Sequence, residues 1–170
     1  MTKNTYVGVE NLLQNKSGKK SAEKIPTEGK TLGYQKDDIL IGNIRPYLKK
    51  IWLSDCNGGT NGDVLVIRNK YPDIIDSDFL YQVLSSDAFF NYNNNYSKGA
   101  KMPRGDKKAV MQYGFYLPAK ENQMHICSIL NRFDELCNDI SQGIPAEIEA
   151  RQKQYEYYRD KLLTFKEVRK

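Results

Sequence analysis

The sequence predicts a mixed body of short strands and helices, α/β in composition and α+β in arrangement, ending in an arm of long helices. Two observations predict it. Through the first two thirds of the 170 residues, short apolar runs alternate with turn-rich stretches. In the last third, apolar residues recur every three or four positions along highly charged stretches, the spacing of amphipathic helices. The change of pattern divides the chain into a body, residues 1–119, and a helical region, residues 120–170.

Each element follows from local pattern. "TYVGVENLL" has strand character at Tyr6, Val7 and Val9, and "QNKSGKKSAEKIPTEGK" reads as a polar surface loop. Residues 39–41 and Ile51–Leu53 are two short strands with "GNIRPYLKK" between them. "DCNGGTNGD" is crowded with Gly and Asn and reads as a tight turn. "DVLVIRN" is the clearest strand, apolar enough to be buried. "SDFLYQVLSSDAFFNYNNNY" follows helical spacing at Phe79, Leu80, Val83, Leu84 and Phe90, with Ser77 or Asp78 as its N-cap. "SKGAKMPRGDKKAV" is a basic Gly/Pro loop, and "YGFYLP" a short strand stopped by Pro118. "KENQMHICSILNRFDELCNDISQ" fits a helix whose Ile126, Leu130, Phe133, Cys137 and Ile140 form a heptad seam. Ile129 and Leu136 widen it enough for one side to face the body. Gly143 breaks this helix and Pro145 suits the first turn of the next. That second helix carries Ile148, Arg151, Tyr155, Tyr158, Leu162 and Phe165, again three and four apart.

Composition narrows the function. The formal net charge is +5, which favours an anionic partner such as nucleic acid, although a mildly basic protein needs none. Three cysteines without a CxxC pair read as ordinary thiols of a reduced, cytoplasmic protein. No apolar run approaches membrane-spanning length, and the first residues lack the apolar core of a signal peptide. His125 is the only histidine, which excludes a histidine metal cluster and leaves a Ser-His-Asp site no choice of partner. The acidic pairs Asp37–Asp38 and Asp134–Glu135 are sequence neighbours, which diverge on a strand or helix and suit solvation better than acid–base work. The chain contains no GxGxxG, no P-loop lysine and no Asn/Asp-Pro-Pro-Tyr/Phe segment, so it reads as non-catalytic, with neither cofactor nor metal.

Three stretches are candidates for contact with nucleic acid. In "SKGAKMPRGDKK", Lys98, Lys101, Arg104, Lys107 and Lys108 crowd together, with Asp106 the only acid. Several cations on a shaped loop can meet phosphates, and an arginine can read guanine edges; a solvated surface loop has the same composition. In "GNIRPYLKKIW", Arg45, Tyr47, Lys49 and Lys50 combine cations with an aromatic ring, equally the pattern of a strand edge with snorkelling lysines. In "DCNGGTNGD", Asn57, Thr60 and Asn61 lie on a turn able to approach a DNA surface closely.

With these stretches in order, the chain resembles the specificity subunit of type I restriction–modification systems. The resemblance rests on "DDILIGNIRPYLKKIWLSDCNGGTNGDVLVIRN", "SKGAKMPR", "GDKKAVMQYGFYLPAKENQMHICSILNRFDELCNDISQ" and the helix ending "LLTF". It implies a target recognition domain followed by a conserved helical region that pairs as an antiparallel coiled coil and spaces two half-targets. It also implies double-stranded DNA, modification (methyltransferase) subunits and a restriction subunit as partners, the chemistry residing in those partners. Such subunits normally hold two recognition domains. This chain holds one, as an expressed fragment, a truncated gene or a natural half-subunit would. A half-subunit would bury its seam as a homodimer through Ile126, Leu130, Phe133, Ile140, Ile148, Tyr155, Tyr158, Leu162 and Phe165. The alternative is a scaffold or decoy fragment that binds modification subunits without reading DNA.

Overall fold

The computed structural model describes residues 2–26, 31–140 and 145–164, with the side chains of 138–140 and 145–148 outside that description. Six strands form two small sheets. In the first, β1 (Tyr6–Val7) runs parallel to β5 (Gly58–Thr60), which pairs antiparallel with β2 (Leu32–Tyr34). In the second, β3 (Ile39–Gly42) is central and antiparallel to both β4 (Ile51–Leu53) and β6 (Val64–Ile67).

Strand β3 is buried along its whole length. Successive side chains of a strand point to opposite faces. Ile39 and Ile41 accordingly pack with Ile51, Leu65, Leu80, Leu84, Phe89 and Phe90 on the helical side. Leu40 faces the first sheet, among Val7, Leu12, Tyr34, Trp52 and Val64. The ring of Tyr34 meets Trp52 edge-on at 5.9 Å.

The apolar spacing after residue 76 produces two helices, α1 (Ser77–Leu84) and α2 (Asp87–Asn95), where the sequence predicts one. Ser86 interrupts it, because its hydroxyl accepts from the Phe89 amide at 3.2 Å and starts a new helix. The N-cap of α1 is Asp76, upstream of both predicted candidates, Ser77 and Asp78. Its carboxylate accepts from the amides of Asp78 and Phe79 at 3.0 and 3.1 Å. Helix α1 is amphipathic twice over: Leu80 and Leu84 face the sheet, while Phe79 and Val83 face away and meet Ile126, Cys127 and Leu130. A short α3 (Lys107–Met111) follows, then α4 (Lys120–Ile140) and α5 (Pro145–Leu163), with Pro145 at the predicted first turn.

Four readings of the sequence change here. "DCNGGTNGD" is no simple turn, because Gly58–Thr60 forms the middle strand of the first sheet. A side chain at Gly58 would collide with the Thr5 carbonyl and the Tyr34 hydroxyl, so only glycine lets β5 come this close. "YGFYLP" forms no strand. Its Tyr113 is held instead by ring contacts at 5.1 Å to Phe89 and to Tyr92. Asp38 is buried rather than solvated, and its two oxygens take bonds of 2.8 and 2.6 Å from Arg68. Ile126 and Leu130, expected on a dimer seam, are spent inside the chain against α1.

Leu130 has no exposed surface. Leu130→Ala is expected to cost the isolated chain about 2–5 kcal/mol, the range for emptying a packed leucine site. Urea unfolding measures it, and an unchanged midpoint would mean that α4 does not pack on the body.

Candidate nucleic-acid interface

Two basic stretches far apart in sequence are joined by backbone hydrogen bonds. Strand β3 exits through Asn43 into a tight turn, in which Arg45 (φ 53°) and Lys49 (φ 50°) flank the 3-10 turn Pro46–Leu48. Such left-handed residues persist only where surrounding structure holds them. The hold is visible: the Arg45 amide donates to the Pro103 carbonyl at 2.7 Å, and the Gly105 amide to the Asn43 carbonyl at 3.0 Å. The basic loop is closed by reciprocal bonds of 2.9 Å between the amides and carbonyls of Lys98 and Arg104. Asp106 ends the loop by capping α3, accepting from the amides of Lys108 and Ala109 at 2.9 and 3.3 Å. Its other oxygen takes the Lys98 ammonium at 3.1 Å, and these bonds, that of Lys98 first, hold its carboxyl below the usual range.

A third stretch joins them. Asp63, just before β6, pairs with the Arg104 guanidinium at 3.0 Å, and Asn61 takes the Asp63 amide at 3.2 Å. Arg45, Tyr47, Lys101, Arg104, Lys107 and Lys108 are all exposed. Cations held on a fixed backbone beside an exposed phenol ring are what phosphate contact and base stacking require.

The remaining candidates are used differently. Thr60 is completely buried, its hydroxyl donating to the Val7 carbonyl. Lys50 donates to the Val9 carbonyl at 2.6 Å, and burial lowers its ammonium pKa. Lys49 gives its ammonium to Asp87 at 2.8 Å. Asn57 is exposed, but its side chain accepts from the Lys36 amide at 2.9 Å, on the side of the first sheet. All four were assigned to the interface on residue type, and long-range contacts that a local pattern does not carry take three of them into the fold.

Asp87 is a junction. It accepts from Lys16 at 3.0 Å and Lys49 at 2.8 Å, and lies 3.8 Å from Arg159 of α5. Burial alone would raise its carboxyl, but the bonds from Lys49 and Lys16 outweigh that and bring it to about 2. Lys16 is pulled below its ordinary value by burial first and then by the charge of Arg159. Arg159 is only 2% exposed, which the sequence reading of α5 missed. Its place four residues after Tyr155 and three before Leu162 was the available signal, masked by its charge.

The arm presents less apolar surface than its seam predicts. Tyr155, Leu162 and Leu163 pack toward α1 and α4. Phe133 stacks on Tyr158, with ring centres 6.4 Å apart and planes 12° from parallel. Ile129, Phe133, Tyr158 and Leu162 line an apolar cleft of about 390 Å³, beside exposed Leu136 and Tyr157. Of the remaining predicted seam residues, Phe165 and the side chains of Ile140 and Ile148 lie outside the described residues.

A larger, polar cavity of about 420 Å³ lies between the arm and the Lys16 loop, lined by Tyr81, Asp134, Tyr155 and Arg159 among others. Burial pushes both of its phenols up to about 12. The Cys127 thiol is likewise raised by burial to about 12. Among the described residues, no group of three or more His, Cys, Asp or Glu could hold a metal ion, and no helix is long and apolar enough to cross a membrane.

A family model described as the type I restriction modification DNA specificity domain matches residues 2–150. The chain belongs to this family. It is 45% identical over 67 residues to the Escherichia coli type I restriction enzyme EcoR124I/EcoR124II specificity subunit, covering 39% of this chain and 17% of that protein. It is 35% identical over 109 residues to a putative type I specificity subunit of Mycoplasma pneumoniae, covering 64% and 43%. The fold is similar to the HsdS subunit from Thermoanaerobacter tengcongensis, with a TM-score of 0.60, 19% identity, and coverage of 81% of this chain and 38% of that one. The matched stretch of this specificity-domain chain therefore covers less than half of each of these relatives.

The Asp87 junction makes a pH prediction. The folded carboxyl is depressed, so its contribution is fully present above the ordinary carboxylate value of 3.8 and is lost as the pH falls toward about 2. It amounts to about 2 kcal/mol at most. Asp87→Asn is expected to lower stability at neutral pH and to flatten the acid limb of the stability curve. Denaturant titrations from neutral pH down to about 2 check this; parallel curves for the two proteins would exclude the junction.

Proposed function

We propose that the chain is a sequence-specific DNA recognition unit that directs methyltransferase and restriction subunits to a bipartite target, without catalysing either reaction itself. One observation carries the reading. The turn at Arg45 and the loop at 98–104 are hydrogen-bonded together and expose Arg45, Tyr47, Lys101 and Arg104 from one connected piece of backbone. Membership of the specificity-domain family supports the choice of DNA as the polyanion. In this reading residues 1–119 recognise DNA and residues 120–170 are the assembly arm, in a cytoplasmic protein.

The arm is read as a coiled-coil spacer. With Ile126 and Leu130 spent on α1, the surface left for a second copy is the cleft around Phe133 and Tyr158 with Leu136 and Tyr157. An isologous homodimer through that surface would carry two identical recognition units and prefer an inverted repeat split by a spacer.

Two experiments test these parts separately. Arg104→Glu with Lys107→Glu, in a complex assembled with modification subunits, is expected to weaken DNA binding and reduce the salt slope by about one unit per lost phosphate contact. Unchanged binding with the complex intact would favour the scaffold or decoy reading. Tyr158→Asp should convert a sedimenting dimer to a monomer with unchanged circular dichroism. A wild-type chain that is monomeric at micromolar concentration would sink the homodimer.

A further inference from the structure

Beneath the turn and the loop lie two side chains that the function just described does not use. Asn43 and Asn93 are buried, with 5% and 1% of their surface exposed. Asn43 Oδ1 and both polar atoms of the Asn93 amide have no hydrogen-bond partner among the described residues. Native interiors rarely leave such atoms unpaired. Both amides converge on Gly105: a methyl group there would lie 2.6 Å from Asn93 Oδ1 and 2.8 Å from Asn43 Oδ1. The two ends of an Asn amide are interchangeable by a half-turn, and the orientation is decided by the partner available. Turning the Asn93 amide points a donor, in place of an acceptor, into the space at Gly105 that the unpaired Asn43 Oδ1 also faces.

We propose that Asn43 and Asn93 form a buried amide clasp across Gly105, directly or through one water, and that the clasp positions the DNA-contacting loop. This rests on the DNA reading above and names the residues that set its geometry. Asn43 leads into Arg45, and Gly105 follows Arg104, so the clasp lies under both exposed arginines. Asn93 belongs to α2, whose Tyr92 hydroxyl donates to the Ala109 carbonyl of α3 at 3.1 Å. Helix α2 therefore meets the basic segment at two points, Gly105 and Ala109. A loop held this way reaches phosphates without having to be ordered on binding, which is the advantage of preorganisation. Gly105 is required because any side chain would occupy the space where the amides meet. These three are positioning residues; none need touch DNA.

The test uses the full chain. In Asn93→Ala, Asn93→Ser and Gly105→Ala, hydrogen exchange at the amides of Lys98, Arg104 and Gly105 is expected to accelerate, while β3 and β6 remain protected. Binding to a mixed-sequence duplex should show a salt slope smaller by about one unit. The double variant Asn93→Ala/Gly105→Ala should be no worse than the worse single variant, because both changes break one clasp. Unchanged loop exchange would overturn the clasp. So would faster exchange throughout the core in all three single variants, or fully additive losses in the double one. Exchange in the free chain reads the clasp without DNA, so a wild-type chain that failed to bind the duplex would count against the DNA reading alone.

Discussion

Strand β3 buries all four of its residues, and the layering of the molecule follows from that constraint. A strand covered on both faces must have an apolar partner on each. Ile39 and Ile41 find theirs in the helices, and Leu40 in the small sheet with Tyr34 and Trp52. Helix α1 is thereby fixed to the sheet by Leu80 and Leu84, and its opposite side, Phe79 and Val83, becomes the surface on which α4 is laid. Body and arm thus share apolar contact through this helix.

The same strand determines where the candidate interface lies. Its last residue leads into Asn43 and the left-handed Arg45, where the chain must turn sharply to return as β4. The backbone groups freed by that turn bond to the 103–105 segment. Hydrogen bonds between backbones do not depend on side-chain identity. The side chains they carry are consequently free to be exposed, which is the separation that a recognition surface needs: a fixed frame with variable contacts.

Charge is divided in two ways. At the Asp87 junction, Lys16, Lys49 and Arg159 are spent on joining the first loop, the turn and α5 around one carboxylate. Such a group is weak as a source of stability, because burial opposes each ion, but it is exacting about geometry. At the loop, Lys101, Lys107 and Lys108 are exposed, and the pairs Arg104–Asp63 and Lys98–Asp106 are surface pairs of small energetic weight. An incoming phosphate can compete for those two cations at little cost, whereas Lys49 is retained by the fold.

The sequence by itself determined what depends on near neighbours. The strands at 39–41, 51–53 and 64–67 and the helices beginning near 120 and at Pro145 were legible, because period and turn chemistry act within a few residues. Local capping decided the division at Ser86 as well, although apolar spacing alone ran through it. Only the tertiary structure decided which polar residues are available. Lys49, Lys50 and Thr60 look like Arg45 and Arg104 in composition, yet their partners are Asp87, Val9 and Val7, supplied by distant parts of the chain. The arm shows the same limit. A heptad seam specifies that Ile126 and Leu130 be buried but not by what, and α1 reaches them within the same chain. Burial is a property of residue type and spacing, whereas the identity of the burying surface is set by packing between segments that sequence does not bring together.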